Sequence, residues 1–167
     1  MDPVRRWEQL ARSAAAAWST RAGVEIPPGL VLAMIDKESS GDPWASGDAG
    51  ERGLMQVMPA TALTLARSPA RLYEPRYNIE TGVQYLAQQL RRYAGDAVRA
   101  VSAYNAGTAT TRNLDAYVTP VLDRWARLYR DVAAGSPAPW LPGAIVLAAA
   151  VLMLTGNPNR PRKEQHQ

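Results

Sequence analysis

Glu38 is the residue of this chain whose position in the sequence best suits acid–base chemistry. It lies in the last turn of a predicted helix, at the end of an apolar stripe and directly before a polar loop. The stripe consists of Leu30, Val31, Met34 and Ile35. A carboxyl group placed in this way is partly desolvated, and desolvation raises its pKa. Such a group can donate a proton to a leaving oxygen, as glycoside cleavage requires, although a solvated or ion-paired glutamate is the alternative that this pattern leaves open.

Two other segments carry polar groups of the kind that recognise sugars. In Gly53-Leu54-Met55-Gln56 the glycine allows a ligand to approach the backbone, and Gln56 offers both a hydrogen-bond donor and an acceptor. Tyr104 and Asn105 bring a phenol and an amide together at a predicted helix end. Each segment also has a structural interpretation: a turn whose Met55 fills a gap in the core, and an ordinary half-buried tyrosine at a helix end.

The composition excludes several classes of catalytic and metal site. Among the 167 residues there is no cysteine, and the single histidine is His166 in the polar tail. Disulfide scaffolds, cysteine nucleophiles, serine–histidine triads and cysteine/histidine zinc sites are therefore excluded. Acid–base chemistry must come from carboxylate, tyrosine or lysine side chains. Because phenylalanine is absent, five Trp and seven Tyr supply the aromatic surface, and an aromatic-lined groove is one natural use of them.

The charge pattern argues against a nucleic-acid partner. The formal net charge is +4, and the basic residues are seventeen Arg and two Lys. These charges are dispersed along helical patterns, and no basic run is longer than Arg5-Arg6 or Arg91-Arg92. The pattern indicates a solvated basic surface. A nucleic-acid binder would instead show an affinity that falls steeply with salt.

The apolar residues recur with helical spacing along most of the chain, which predicts an all-α fold. No segment shows the period-two alternation of a strand. The predicted helices are one capped by Asp2 and running from Pro3 to Gly23, one from Pro28 to Ser39, a short one from Pro59 to about Arg67, one capped by Asn78 and ending at Gly95, one capped by Asp96 and ending at Gly107, and a final amphipathic stretch over 117–132. The Gly- and Asp-rich segment 41–53 is predicted to be a long loop that borders the functional site.

The C-terminal part differs from the helical domain, which we place at residues 1–135. Residues 136–156 form an apolar segment without a charged side chain, and residues 157–167 a polar basic tail. Its apolar run from Trp140 to Leu154 has fifteen residues, which reach about 22 Å as a helix. The segment would therefore span only a thin bilayer. We predict membrane contact through a C-terminal apolar helix, with a buried terminal helix as the alternative. Basic residues on both sides leave the orientation open. No cleavable signal peptide is expected at the N-terminus.

Five motifs occur in an order and at spacings that are specific when taken together. Glu38-Ser39 is followed, fifteen residues after the glutamate, by Gly53-Leu54-Met55-Gln56-Val57-Met58-Pro59-Ala60-Thr61. The remaining motifs are Asn78-Ile79 with Gly82 and Tyr85-Leu86, then Ala103-Tyr104-Asn105-Ala106-Gly107, and finally Tyr117-Val118 with Val121-Leu122. In these motifs residues 24–125 resemble the catalytic domain of lytic transglycosylases of the soluble-lytic-transglycosylase (SLT) type.

The resemblance implies a lysozyme-like helical fold and cleavage of the β-1,4 bond between N-acetylmuramic acid and N-acetylglucosamine in peptidoglycan glycan strands. The residue matching Glu38 is the sole catalytic acid/base of the family. It protonates the glycosidic oxygen and then accepts the proton of the C6 hydroxyl, while a 1,6-anhydro ring closes. The muramoyl N-acetyl group stabilises the developing oxocarbenium ion, so this scheme needs no second carboxylate. No metal or organic cofactor is implied.

The resemblance also implies substrate contacts at six further positions. They are Ser39, Met55, Gln56, Tyr104, Asn105 and Tyr117. Many members have a serine that contacts the N-acetyl group nine residues after the acid, where this chain has Gly47, and Ser46 is the neighbouring candidate. Many also have a glutamate at the position of Asn113, whereas Asp115 is out of register.

Three alternatives concern the reaction and the setting. A hydrolytic muramidase would need a base that activates water, and Asp42 and Asp48 are the candidates in the loop. A catalytically silent peptidoglycan-binding or virion structural module would not need an intact Glu38. The setting that we expect is a phage virion or phage lysis, with a bacterial envelope enzyme as the rival. The oligomeric state is left open.

Overall fold

Helices are the regular secondary structure of the part of the chain that the structure describes. The computed structural model describes residues 2–135, and side chains up to residue 128. Its helices are α1 (Glu8–Ala22), α2 (Pro28–Ser39), α3 (Pro59–Thr64), α4 (Pro75–Arg92), α5 (Ala97–Ala106) and α6 (Thr119–Gly135), with 3-10 turns at Arg5–Trp7 and Pro69–Arg71 and a π-helical turn at Leu114–Val118. Within residues 2–135 there is no strand, only isolated bridges that join Arg52 to Ser46 and to Val57. The predicted all-α class is confirmed.

The core includes a fully buried face of α2. Residues up to Tyr129 belong to the first compact unit of the chain. In the first unit α1 packs against α2 and α4, and α4 packs against α5. The apolar stripe that leads to Glu38 is fully buried, since Leu30, Val31, Met34 and Ile35 have no exposed surface. The acid is therefore carried by the most deeply buried helix of the domain.

Several helix ends follow the local signals in the sequence. Pro28 occupies the first turn of α2, where its missing N–H is not needed. The Asp96 side chain accepts a hydrogen bond of 3.0 Å from the Arg99 N–H and caps α5. Gly23 and Gly107 end α1 and α5 in the left-handed conformation. These boundaries agree with the prediction.

Two predicted caps are wrong. Asp2 accepts a hydrogen bond from the Val4 N–H, but a 3-10 turn intervenes and the α-helix begins only at Glu8. Asn78 does not cap α4, which begins three residues earlier at Pro75. Proline suits that first position because its φ is already helical. Asn78 is instead buried inside the helix, and its side chain bonds to other segments.

The N-terminal segment ties the end of α2 in place. Arg6 and the Trp7 indole both donate to the Gly41 carbonyl, at 2.6 and 3.0 Å, two residues beyond α2. Arg124 pairs with Asp2 and, at 3.1 Å, with Asp36 of α2. Several long-range contacts thus fix the helix turn that carries Glu38.

The predicted membrane segment lies beyond the last described residue, Gly135. In the described residues no helix is long and apolar enough to cross a membrane. Residues 136–156 and 157–167 lie outside the described part of the chain. The predicted C-terminal apolar helix, its membrane contact and the predicted domain boundaries remain predictions.

Gly53 is a position where the fold tolerates only glycine. Its φ is +73°, and a Cβ there would overlap the Leu72 carbonyl oxygen and lie 2.5 Å from Asn78 Nδ2. Gly53→Ala is therefore expected to destabilise the domain by about 2–4 kcal/mol, measured by urea unfolding. Gly23→Ala is the control, because φ is +63° there but a Cβ would meet nothing. It should cost about 1 kcal/mol, and equal losses in the two variants would refute the steric explanation.

Candidate active site

The carboxyl group of Glu38 meets the phenol of Tyr117. Glu38 lies in the last turn of α2 and is half-buried, while Tyr117 comes from the π-helical turn and is 5% exposed. The Tyr117 hydroxyl donates a hydrogen bond to Glu38 Oε1. Burial and the nearby carboxyl group raise the pKa of Tyr117 well above its usual value, so the phenol keeps its proton. The second carboxyl oxygen of Glu38 is left to carry the titrating proton.

The surroundings of Glu38 hold its pKa near neutrality. The pKa of Glu38 is raised to about 7, mainly because the group is buried and to a smaller extent because of the negative charge of Glu51. The hydrogen bond from Tyr117 and the charge of Lys37 act in the opposite direction. Glu38 can therefore act as an acid at neutral pH and as a base after it has lost its proton.

The segment that contains Met55 and Gln56 is tied to the helix of the acid. The Ser39 hydroxyl donates to the Leu54 carbonyl at 2.9 Å. Met55 is fully buried, its N–H donates to Asn78 Oδ1 at 2.8 Å, and its carbonyl accepts from the Tyr104 hydroxyl at 2.9 Å. The hydroxyl of Ser39 and the side chain of Met55 are thus engaged inside the protein, and the substrate contacts expected of them remain predictions.

Gln56 bends the chain at the end of this segment. Its φ is +44°, a left-handed conformation that is uncommon for a side chain of this size. Its amide nitrogen donates to the carbonyls of Gly53 at 2.8 Å and Ala45 at 3.1 Å. A Cβ on Gly47 would lie 3.0 Å from the Gln56 amide oxygen, so this oxygen lies against the loop that follows the acid.

Tyr104 and Asn105 lie at the end of α5 and have different surroundings. Tyr104 is buried, and its ring packs against Tyr85 with centroids 5.1 Å apart. Asn105 is exposed, and its side-chain oxygen accepts a hydrogen bond of 3.0 Å from Asn113. The Asn113 carbonyl in turn accepts from the Tyr117 N–H at 2.9 Å. Asn113 thereby links α5 to the turn that carries Tyr117.

Ser46, the predicted candidate beside Gly47, has a hydrogen-bonded side chain. The hydroxyls of Ser46 and Tyr73 share a hydrogen bond of 2.7 Å. The space that a side chain at Gly47 would fill is occupied by the carboxylate of Glu51, which also accepts a hydrogen bond from the Ala49 N–H. The contact expected between Ser46 and substrate remains a prediction.

Glu51 is the acidic residue of the loop that influences the pKa of Glu38. The sequence pattern points to Asp42 and Asp48, which are both exposed in the structure. Asp42 accepts a hydrogen bond of 2.9 Å from the Trp44 N–H. Glu51 lies in the same loop, thirteen residues after Glu38, and this location is the signal that could have identified it. In the described part of the chain, no three acidic or histidine side chains gather where they could hold a metal ion.

Two substitutions should shift the pH dependence of the site in opposite directions. If protonated Glu38 is the active form, kcat/KM for peptidoglycan cleavage should fall above about pH 7. Glu51→Gln removes a negative charge, which lowers the pKa of Glu38 and moves this fall to lower pH. Tyr117→Phe removes a donor to the carboxylate, which raises the pKa and moves the fall to higher pH. Shifts of the same sign in both variants would contradict this electrostatic description.

Comparison with known proteins places this site in a described family. The sequence model of the Transglycosylase SLT domain matches residues 14–120. The chain is 37% identical over 108 residues to a transglycosylase of Enterobacteria phage PRD1, covering 65% of this chain and 37% of the phage protein. It is 32% identical over 99 residues to the soluble lytic murein transglycosylase of Escherichia coli K12, covering 54% of this chain and 15% of that protein.

A solved structure has the same fold. The 70 kDa soluble lytic transglycosylase of Escherichia coli superposes with a TM-score of 0.60 and 24% identity, covering 75% of this chain and 24% of the larger one. The predicted SLT-type helical fold is confirmed by this likeness. The chain spans little more than a third, or less, of the length of these relatives.

Proposed function

The chain belongs to the family of proteins with a transglycosylase SLT domain, and on that premise we propose that it is a peptidoglycan lytic transglycosylase with Glu38 as its acid/base. The single observation that carries the proposal is the state of Glu38. Its carboxyl group is half-buried, accepts a hydrogen bond from the Tyr117 hydroxyl and has a pKa of about 7. Its substrate is the glycan strand of peptidoglycan, and the bond that it cleaves joins N-acetylmuramic acid to the next N-acetylglucosamine.

In the first step Glu38 acts as a general acid. Its free oxygen gives a proton to the glycosidic oxygen, and the bond from this oxygen to C1 of the muramoyl sugar breaks. The departing N-acetylglucosamine leaves with a hydroxyl group. The N-acetyl group of the muramoyl sugar stabilises the positive charge that develops at C1.

In the second step the same carboxylate acts as a base. It takes the proton of the muramoyl C6 hydroxyl, and the C6 oxygen bonds to C1 to close the 1,6-anhydro ring. Glu38 is protonated again, and no water is consumed. One group with a pKa close to ambient pH serves both steps, because neither its acid form nor its base form is rare. The hydrogen bond from Tyr117 stabilises the carboxylate between the two steps.

Hydrolysis of the same bond is the second candidate, and Glu51 is the observation that favours it. A muramidase needs a second carboxylate that activates water. Glu51 influences the pKa of Glu38 through its charge, and its carboxylate lies against Gly47 in the loop that follows the acid. In this reaction Glu51, rather than Asp42 or Asp48, would act as the base. The family assignment favours the anhydro-forming reaction.

We further propose that the enzyme opens the cell wall locally during phage entry or lysis. Its similarity to a phage transglycosylase supports this setting. Its similarity to soluble lytic murein transglycosylases supports the bacterial envelope as the second possibility.

The proposed activity is tested by incubating the full chain with purified peptidoglycan sacculi. The turbidity should fall, and soluble muropeptides should appear in the supernatant. Undigested sacculi in the presence of correctly folded protein would refute the proposed enzymatic activity. They would favour a silent peptidoglycan-binding or virion structural module.

A further inference from the structure

Trp44 is an exposed aromatic side chain on the loop that follows the acid. It is 71% exposed, and in the described part of the chain the other large apolar side chain with a highly exposed surface is Leu63. An exposed indole gains nothing from burial in the fold, because most of its apolar surface stays in water. The surroundings of Trp44 show whether it is a loose surface residue or an ordered one.

The backbone and the ring of Trp44 are both held in place. Its N–H donates to Asp42 Oδ1 at 2.9 Å, which closes a turn over Pro43. Its ring stacks on Tyr73, with centroids 5.9 Å apart and 25° between the planes. The Tyr73 hydroxyl is bonded to Ser46, and the Arg52 guanidinium lies 5.9 Å from the centre of the Tyr73 ring. Trp44 is therefore an ordered side chain with an exposed surface.

The same loop segment is tied to the candidate active site. The carbonyl of Ala45, next to Trp44, accepts hydrogen bonds from the Gly53 N–H at 2.8 Å and the Gln56 amide at 3.1 Å. Gly53 is followed directly by Leu54. The Leu54 carbonyl accepts a hydrogen bond from the hydroxyl of Ser39, which is the neighbour of Glu38 in the chain. The loop that presents the aromatic face of Trp44 is therefore hydrogen-bonded to the segment that is tied to the neighbour of Glu38.

We propose that Trp44 and Tyr73 form a sugar-binding platform for the glycan strand of the substrate. The C–H face of a pyranose ring is apolar, and an indole offers a large, rigid surface on which it can stack. Because the pair is ordered before binding, little side-chain entropy is lost when the sugar binds. This inference rests on the proposed function, since it takes the glycan strand as the ligand.

The charges around the platform argue against an anionic membrane surface and suit an uncharged unit of the strand, such as N-acetylglucosamine. Asp42 binds the backbone of Trp44, and Asp48 and Glu51 lie on the same loop. Arg52 is the basic side chain beside the pair. Anionic lipid headgroups attract basic clusters, and a loop with three carboxylates and one guanidinium is not such a cluster.

The test measures glycan binding without cleavage. The full chain with Glu38→Gln is titrated by calorimetry with a β-1,4-linked N-acetylglucosamine hexamer and with glycan strands freed of stem peptides. Adding Trp44→Ala should raise the Kd about tenfold or more, whereas Trp44→Tyr should restore part of the affinity. Leu63→Ala is the matched control, because it removes the other exposed apolar side chain, and it should leave the Kd unchanged.

The outcomes separate the two proposals. If the Glu38→Gln protein binds both glycans and Trp44→Ala binds them equally well, the platform is refuted and the proposed function stands. If the Glu38→Gln protein binds neither glycan, the proposed function fails and the platform fails with it. A Trp44→Ala effect confined to self-association or to binding of anionic vesicles would also overturn the proposal, because the occupant would then not be a sugar.

Discussion

Glu38→Gln is expected to reduce peptidoglycan cleavage by at least about a thousandfold, because one carboxyl group performs both proton transfers in the proposed mechanism. The amide keeps the shape of the side chain and can accept the Tyr117 hydrogen bond, but it cannot cycle a proton. The rate is measured as release of soluble muropeptides from sacculi. Glu25→Gln, a change of the same chemistry at an exposed position, should cleave like the unmodified chain.

The same variant should be more stable than the parent at alkaline pH. The pKa of Glu38 is raised to about 7 in the folded state, above its ordinary value, so folding opposes ionisation of this group. The stability contributed by the protonated form is complete below the unfolded pKa and is lost as the pH rises through about 7. Glu38→Gln does not ionise, so its melting temperature should exceed that of the parent at pH 8 and approach it at pH 4. A lower melting temperature at pH 8 would mean that lost activity reflects a damaged fold.

Asn78→Ala is expected to cause the largest loss of stability of any polar substitution considered. The Asn78 side chain accepts a hydrogen bond from the Met55 N–H at 2.8 Å and donates to the carbonyls of Arg52 and Leu72, both at 2.7 Å. The substitution leaves the Met55 N–H and the Leu72 carbonyl without this partner, while the Arg52 carbonyl keeps its hydrogen bond from the Val57 N–H. At about 1–3 kcal/mol for each of the two groups, we expect a loss of about 2–6 kcal/mol. Urea unfolding measures it.

Two further variants separate lost hydrogen bonds from lost volume at Asn78. Asn78→Asp keeps the shape but, when ionised, cannot donate to the two carbonyls. Its pKa should be raised in the folded state, so the variant should regain stability as the pH falls towards the pKa of an unfolded aspartate. Gln88→Ala, at an exposed position on the same helix, should change stability by less than about 0.5 kcal/mol. A small loss in Asn78→Ala would contradict the structural role of Asn78.

The parts of the fold that were predicted correctly depend on local signals. A proline in the first turn of α2, the aspartate that caps α5 and the glycines that end α1 and α5 act within a few residues. The role of Asn78 does not depend on such local signals. Its hydrogen-bond partners Met55 and Arg52 lie 23 and 26 residues away, so no periodicity or cap rule reveals them. The sequence pattern predicts a helix cap at Asn78, and the structure shows hydrogen bonds to distant segments instead.

The candidate site shows the same division. Glu38 stands out in the sequence because a carboxylate ends a buried apolar stripe, and the family resemblance adds Tyr117, which the structure brings to it. Glu51 could not be ranked above Asp42 and Asp48, because three acids on one irregular loop differ only in how the loop folds. The Glu51 carboxylate occupies the space that a side chain at position 47 would need, and Gly47 leaves this space open. This packing depends on the loop conformation, so the sequence does not reveal it.

The central claim is that Glu38 drives an anhydro-forming cleavage, and mass spectrometry of the released muropeptides tests it most directly. The full chain and its Glu38→Gln variant are incubated with purified peptidoglycan, and the masses of the products are determined. We predict muropeptides lighter than the hydrolytic products by one water, and none of them from the variant. Hydrated reducing ends would contradict the claim, make the enzyme a muramidase and identify Glu51 as the first residue to substitute.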